Sequence, residues 1–583
     1  KSTTGILTLT GANASFAGTT TINLGELIIQ SSTSLGTGAI TVASGAILDL
    51  NNIGVTNAIT VASGGIIENG PTAASPAVVA KLSGSNTIDT VLTGDTGLAK
   101  SGAGELTLTT PNFFTGAVTA NTVGAVISAA YLADNSSSLG ASSLSDPTKL
   151  VLGNGAKLEF TGTTATSTSR SFTVNGAAAL AVDAAAAPLT FNSSSIMALD
   201  PADSTPELKL VAFNSGVNRF EAQISQTDID AGRGLSNLAI DGTGKWVLGG
   251  SANRFKGDVR VDVGGGGTLG FEAGSLGMGS NFTQSRIEVA NGSTLAWSGS
   301  GNSDDISARL QVPAGATAKL DLGGNNVTFA TAPSMGDGAS LQKQGSGTLN
   351  ISAAVSAPSL NVAVTSGLLS VNGTLGAITL TSGATLGGAG TIASANVVTG
   401  AILSPGNSPG TLNATSLTFV GGSFLDWQVQ DATSPSGFDK LIMSGSLDLR
   451  GADANNRVKF RIISLLGAGN GTTLGAPLNF AAPGGAATIR TFEFASVATG
   501  AGGVLLNSGL NISDVFEIDV SDFKYSDDTP SNAALWSIDW NQGTGAITLT
   551  AVPEPSTYGF GLGALALAAA AIRRRKRQAK KAE

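Results

Sequence analysis

The stretch AITVASGAILDL, residues 39–50, recurs as AITVASGGIIEN at 58–69, nineteen residues later, and a third time as AITLTSGATLGG at 377–388. Ile22, in the sequence TIN, stands eighteen residues before Ile40 in the same local pattern. A self-similar unit of about twenty residues lies in the range of solenoid repeats. Inside each unit the apolar period is two: Leu7 and Leu9 alternate with Thr8 and Thr10, and Leu48 and Leu50 flank Asp49. Alternation over four to six residues, bounded by Gly, Asn and Ser, reads as short strands joined by tight turns. One face of each strand would bury Leu, Ile and Val, and the other would show Thr, Ser and Asn to water. The pattern predicts an all-β chain folded as a parallel β-helix (β-solenoid), in which each turn of chain pairs with the next and no turn is stable alone.

Composition agrees with this reading. The 583 residues include 79 Gly and only 18 Pro; hydrophobic residues are 42% and aromatics 5%. That is too apolar for a disordered polymer, so a core is expected from Val, Ile, Leu and Ala in thin layers. Cys and His are both absent. Disulfides, thiolate metal sites, imidazole ligation and Ser-His-Asp catalysis are therefore excluded. Net charge is −9, but residues 573–583 hold seven Lys/Arg and one Glu. Without them the chain has 24 basic and 39 acidic residues, 24 − 39 = −15. So acidic a body does not bind nucleic acid through phosphate contacts. The chain begins KSTTGILTLTGAN, without an initiator Met, and reads as a fragment or processed form whose export signal lies outside it.

A longer unit overlies the short one. LAKSGAGELTL (98–108) matches LQKQGSGTLNI (341–351) as L-x-K-x-G-x-G-x-L-x-[LI]. The stretches 5–27, 104–126 and 244–269 share one layout: a strand, a polar turn containing Asn, a Phe followed two residues later by Gly, and another strand. These stretches resemble the autotransporter-associated β-strand repeat of large secreted surface proteins. The resemblance implies a passenger-like β-helical stalk and no particular activity. Residues 1–450 form the expected repeat region, with an irregular insertion at about 181–240. Longer, more aromatic strands such as VKFRIISLL (458–466) and TIRTFEFASV (488–497) predict a β-rich capping domain over 451–550. A solenoid needs such a cap because its last turn would otherwise expose core and unpaired strand edge.

The last stretch, 551–583, has a different character. Tyr558 to Ile572 carries no charge; as a helix it would be about 22 Å long, somewhat short of a hydrocarbon core of about 30 Å. Ser556, Thr557 and snorkelling arginines can extend it, so 558–572 is read as one transmembrane helix. Arg573, Arg574, Arg575, Lys576 and Arg577 follow at once, as a stop-transfer cluster held on the cytoplasmic side. Before the helix, Pro553, Glu554 and Pro555 impose an extended segment. The order of Pro-Glu-Pro, apolar helix and basic cluster is similar to the PEP-CTERM sorting signal. That resemblance implies recognition by an exosortase in a Gram-negative bacterium that makes extracellular polysaccharide, followed by release of the body.

Several groups of residues are candidates for chemistry. Asp228 and Asp230 with Arg233, and Asp304 and Asp305 with Arg309, are the carboxylate groups that a glycosidase or lyase on a β-helix could use; in their Gly/Ser/Asn-rich surroundings they also read as solvated loop charges. Asp514, Glu517, Asp519, Asp522, Asp527 and Asp528 form the densest acidic run. Calcium favours such oxygen ligands, but the alternation with Val, Phe and Ile reads as the wet face of a strand. Trp246, Trp297, Trp427, Trp536 and Trp540 are sugar platforms or core residues. No catalytic residue, resident metal or other cofactor is assigned. The expectation is a secreted, exosortase-processed surface or extracellular-matrix protein, scaffold or adhesin. It would be held transiently in the inner membrane and then displayed among exopolysaccharides or other surface glycans. The alternative is a β-helical carbohydrate-active enzyme.

Overall fold

A computed structural model describes residues 1–51, 53, 55, 57–62, 65–68, 79–83, 86–88, 91–92, 97–250, 255–261, 266–276, 286–467, 473–480, 489–500, 502–525 and 531–552. The chain divides into two compact units. The first comprises 1–327 with 333–340, the second 328–332 with 341–583.

In the first unit the two copies of the opening repeat lie on one another in parallel. Ile40 faces Ile59 and Val42 faces Val61 across the strands Ile40–Val42 and Ala58–Val61. Leu48 faces Ile67 across Ala46–Asp49 and Ile66–Glu68. Ile40, Val42, Leu48 and Ile59 are fully buried, while Thr41 and Thr60 point away and are half-buried. Each buried Ile, Leu or Val side chain contributes about 1.5–3 kcal/mol, so the alternation alone decides which face turns inward. One spacing differs from expectation: Ile22 faces Val42, twenty residues on, and Thr20 faces Ile40.

Each pass of the chain adds one strand to each of two sheets. The first sheet begins with Ser2–Leu9 and ends with Ser334–Met335; the second runs from Thr20–Ile22 to Gln223–Ile224. From Thr166–Thr168 onward a third row of parallel strands appears, through Leu189–Phe191, Val217–Phe220 and Lys245–Leu248. Here the pass lengthens: Glu207 faces Ala177 on one side and Asn237 on the other, thirty residues away each time. The region expected as an insertion, 181–240, is thus continuous with the sheets. Its longest loops are 200–206 and 225–234, the latter holding the short helix Gln226–Asp230. The twenty-residue period fades there because each pass carries an extra strand.

The corners explain the repeated Asn, Gly and Lys. The amide of buried Asn57 donates to the Gly36 and Gly38 carbonyls at 3.1 and 2.7 Å, one pass earlier. Buried Asn112 accepts from the Leu92 N–H at 2.7 Å and donates to the Ser138 carbonyl at 2.7 Å, joining corners of three successive passes. Such amides satisfy backbone groups that a corner would otherwise leave unpaired. Lys100 is buried, and its ammonium donates to the Gly102 carbonyl at 2.9 Å, inside its own corner.

In the second unit, two parallel sheets again alternate along the chain. One contains Thr348–Ile351, Leu368–Val371, Thr385–Gly388, Ile402–Pro405, Phe424–Val429, Val458–Ser464 and Phe516–Asp519. The pass is seventeen residues between Leu368, Thr385 and Ile402, and grows to fifty-eight between Val458 and Phe516. Parallel pairing therefore continues beyond 450. What closes the unit is antiparallel: Ala546–Ala551 pairs with both Arg490–Ser496 and Trp536–Trp540. Aromatic rings fill the space beneath, with Trp427 5.1 Å from Phe492 and Phe523 5.2 Å from Trp536. Among the described residues, no helix is long and apolar enough to cross a membrane. The expected helix at 558–572, the Pro-Glu-Pro segment and the basic cluster lie outside the described residues.

Candidate functional site

The first unit holds an open cavity of about 440 Å³, lined by five serines, the Asp134 carboxylate, Ala141 and Leu144. An unusually long pass produces it. Leu98 faces Val118, twenty residues on, but Val118 faces Leu150, thirty-two residues on. The surplus forms the antiparallel hairpin Leu132–Ala133 with Ser136–Ser137, and then the loop 138–146. Asp134, at the hairpin tip, is anchored to the next pass. It accepts from Thr168 Oγ1 at 3.0 Å, the Ser169 N–H at 2.7 Å and Ser169 Oγ at 2.7 Å.

Behind the wall lies Arg170, whose guanidinium donates through Nη1 to Ser142 Oγ at 2.9 Å and through Nη2 to the Gly140 carbonyl at 2.8 Å. Burial lowers this guanidinium to about 10 and the Asp134 charge pulls it back up, so it stays cationic at neutral pH. Its Nε is buried without a partner. No single residue type in 130–146 had pointed here. The signals were the serine-rich run NSSSLGASSLS (135–145) and the distance between the flanking strands.

The carboxylates picked from the sequence do other work. Asp228 is buried, accepts from the Leu199 N–H at 3.0 Å and from Ser225 Oγ, and is held by Arg233 Nε at 2.6 Å. It is a strut between passes, and Asp230 is exposed. Asp304 accepts from the Gly274 N–H at 2.7 Å, Asp305 from the Ser307 N–H at 2.8 Å, and Arg309 donates to the Leu276 carbonyl at 3.0 Å. Desolvation lowers the Arg309 guanidinium, and Asp304 opposes that shift. Neither group presents two carboxylates to a common space.

The acidic run is likewise dispersed. Asp514 caps the short helix Ile512–Val515, accepting from the Asn511 N–H at 2.8 Å. Asp519 accepts from the Ser521 N–H at 2.9 Å. Glu517 and Asp522 are exposed, and Asp527 and Asp528 lie outside the described residues. Among the described residues no three acids are placed to hold a metal. Trp246, Trp297, Trp427 and Trp536 are buried in the core and Trp540 is half-buried. They are packing residues, not an exposed platform.

Two buried carboxyls in the second unit carry a pH signature. Asp439 is fully buried, accepting from the Gly410 and Gln428 N–H groups at 2.8 and 2.9 Å. Burial outweighs these donors and holds it well above the ordinary carboxylate range. Asp426 is also raised, by burial first, against a two-bond pairing with Arg461 at 2.6 and 2.7 Å. A raised folded value means that the fold favours the protonated form. These groups therefore cost stability as pH rises from about 4 toward their folded values, and cost nothing below. Asp431, Asp448 and Asp519, held low chiefly by hydrogen bonds, act oppositely, but only below about pH 4. The melting temperature should therefore climb as pH falls from about 7 to about 4.5, and Asp439→Asn should flatten the climb. A wild-type melting temperature that falls over that window would show Asp439 ionised in the fold.

Comparison with known proteins adds three findings. Residues 551–576 match the family described as the PEP-CTERM protein-sorting motif. A stretch of 316 residues, 52% of the chain, is 28% identical to the adhesin BmaC autotransporter of Brucella suis biovar 1 (strain 1330). The match spans only 9% of that relative's length. Among solved structures, the Hap adhesin of Haemophilus influenzae aligns over 91% of this chain and 63% of its own, at 12% identity and a TM-score of 0.27.

Proposed function

We propose that the chain is an exported, exosortase-processed surface protein whose parallel-strand body is a β-solenoid serving as structural scaffold or adhesin among exopolysaccharides. The observation that carries this reading is the PEP-CTERM sorting motif at 551–576, which follows in sequence on a body of stacked parallel strands closed by an antiparallel group. In that body the apolar residues of the strands turn inward, and the Thr residues that alternate with them, such as Thr41 and Thr60, turn away. The adhesin similarity over half the chain supports the same reading.

In this proposal the segment 558–572 spans the inner membrane transiently, and Arg573, Arg574, Arg575, Lys576 and Arg577 stop its transfer. Pro553, Glu554 and Pro555 present an extended substrate to the exosortase, and calcium is not required. The body acts mechanically, as a scaffold, not as a catalyst. A carbohydrate-active β-helix would need two carboxylates facing one groove. Among the described residues, Glu221 and Glu272 are both bonded to Arg219, and Asp426 and Asp519 flank Arg461 on three neighbouring strands. There Asp426 is tied by two bonds to Arg461, as a strut of the sheet.

The test is mass spectrometry of the mature C-terminus, in a Gram-negative host with and without its exosortase. The expected C-terminal peptide ends near Pro553–Pro555 only when the enzyme is present. Retention of Ile572 and the arginines in both strains would make the tail a permanent anchor and overturn the processing step.

A further inference from the structure

We infer that the serine-walled cavity beside Asp134 binds a neutral saccharide unit. Its volume, about 440 Å³, lies within the range of about 300–1,000 Å³ usual for small-ligand sites. Its chemistry is that of a hydroxyl partner. Ser142 Oγ accepts from Arg170, which leaves its own O–H to donate into the cavity. Ser169 Oγ spends its proton on Asp134, which leaves its lone pairs to accept. Ser143 and Ser145, 3.3 Å apart, share one hydrogen bond between two hydroxyls. Asp134 Oδ1 is filled by Thr168 Oγ1 and the Ser169 N–H, while Oδ2, which accepts from Ser169 Oγ, retains one lone-pair direction.

The wall therefore offers both donors and acceptors, and each hydroxyl of a pyranose ring is both. Charge points the same way. The Asp134 carboxylate is opposed by the buried Arg170 guanidinium, which it interacts with electrostatically, so one charge of each sign stands at the cavity. The lining has no aromatic side chain, so affinity for one sugar is expected to be modest, on the order of 1 mM, with avidity supplied by many copies of the protein on a surface.

This inference deepens the reading of the protein as glycan-associated, and the two can fail separately. Saturation-transfer NMR on the full chain would use D-glucose, D-galactose and D-mannose as probes, with D-glucuronate and D-glucosamine as charged controls. Expected is transfer to at least one neutral hexose in excess of both controls. Ser143→Leu and Ser194→Leu, at exposed positions on the rim, should weaken it by about tenfold at an unchanged melting temperature. Transfer to no neutral hexose, transfer undiminished in both variants, or stronger binding of a charged sugar would overturn the assignment. Retention of wild-type protein on purified exopolysaccharide reads the broader proposal by itself. If both variants are retained equally well, the glycan reading stands and the cavity is not its site.

Discussion

Lys343→Met is expected to destabilise the second unit by about 3 kcal/mol, through the loss of donors rather than of volume. Lys343 has no exposed surface. Its ammonium donates to the carbonyls of Gly345, Gly347 and Ser366 at 2.7, 2.5 and 2.8 Å. Methionine matches the length of the side chain but has no N–H. The Gly347 carbonyl would keep only a 3.4 Å bond from the Leu368 N–H. An orphaned buried acceptor costs about 1–3 kcal/mol, and relief of the buried charge offsets part of the total.

The equivalent Lys100 also donates within its own corner, at 2.9 and 3.4 Å, so Lys100→Met should be destabilising as well. Denaturant midpoints of the two variants, read through buried tryptophan fluorescence, test both losses. A Lys343→Met protein as stable as the wild type would mean that desolvating the ammonium costs as much as its three bonds return.

The second large effect is Gly36→Ala, expected to cost about 4 kcal/mol. Gly36 has φ of +64°, and a Cβ there would lie 1.9 Å from the Phe16 carbonyl oxygen. That oxygen accepts the Thr37 N–H at 2.8 Å, so the methyl would push apart the bond that ties one corner to the next. Gly45 separates the two causes. Its φ is +71°, but nothing lies within 4 Å of its Cβ position. Gly45→Ala should therefore show the backbone strain alone, about 1–2 kcal/mol. Equal thermal shifts for the two variants would show that the corner at Phe16 yields and that the clash is relieved elsewhere.

These two sites show how differently the molecule's parts were legible. Gly36 stands between alternating strands, where a turn residue with φ > 0 is expected from local pattern. Lys343 was visible only as a recurring letter in L-x-K-x-G-x-G. Its role needed the Ser366 carbonyl, twenty-three residues away. The candidate carboxylates went the other way: Asp228 and Asp304 looked like groups offered to solvent, and the fold spends them on backbone N–H donors of another pass. The cavity was missed because its parts come from a hairpin, a loop and two later turns, none of which repeats.

By itself the sequence determined the strand period, the face each side chain turns to, the roughly twenty-residue pass and the sorting motif at the C-terminus. Each of these is written in residues adjacent or evenly spaced along the chain, and burial of apolar side chains enforces that spacing. Only the tertiary structure decided the rest: where the pass lengthens to thirty residues to admit a third strand, where antiparallel strands close the second unit, which charges are buried, and where serines converge on Asp134. Those features depend on which non-repeating residues meet across passes of unequal length, and hydrophobic periodicity carries no information about such meetings.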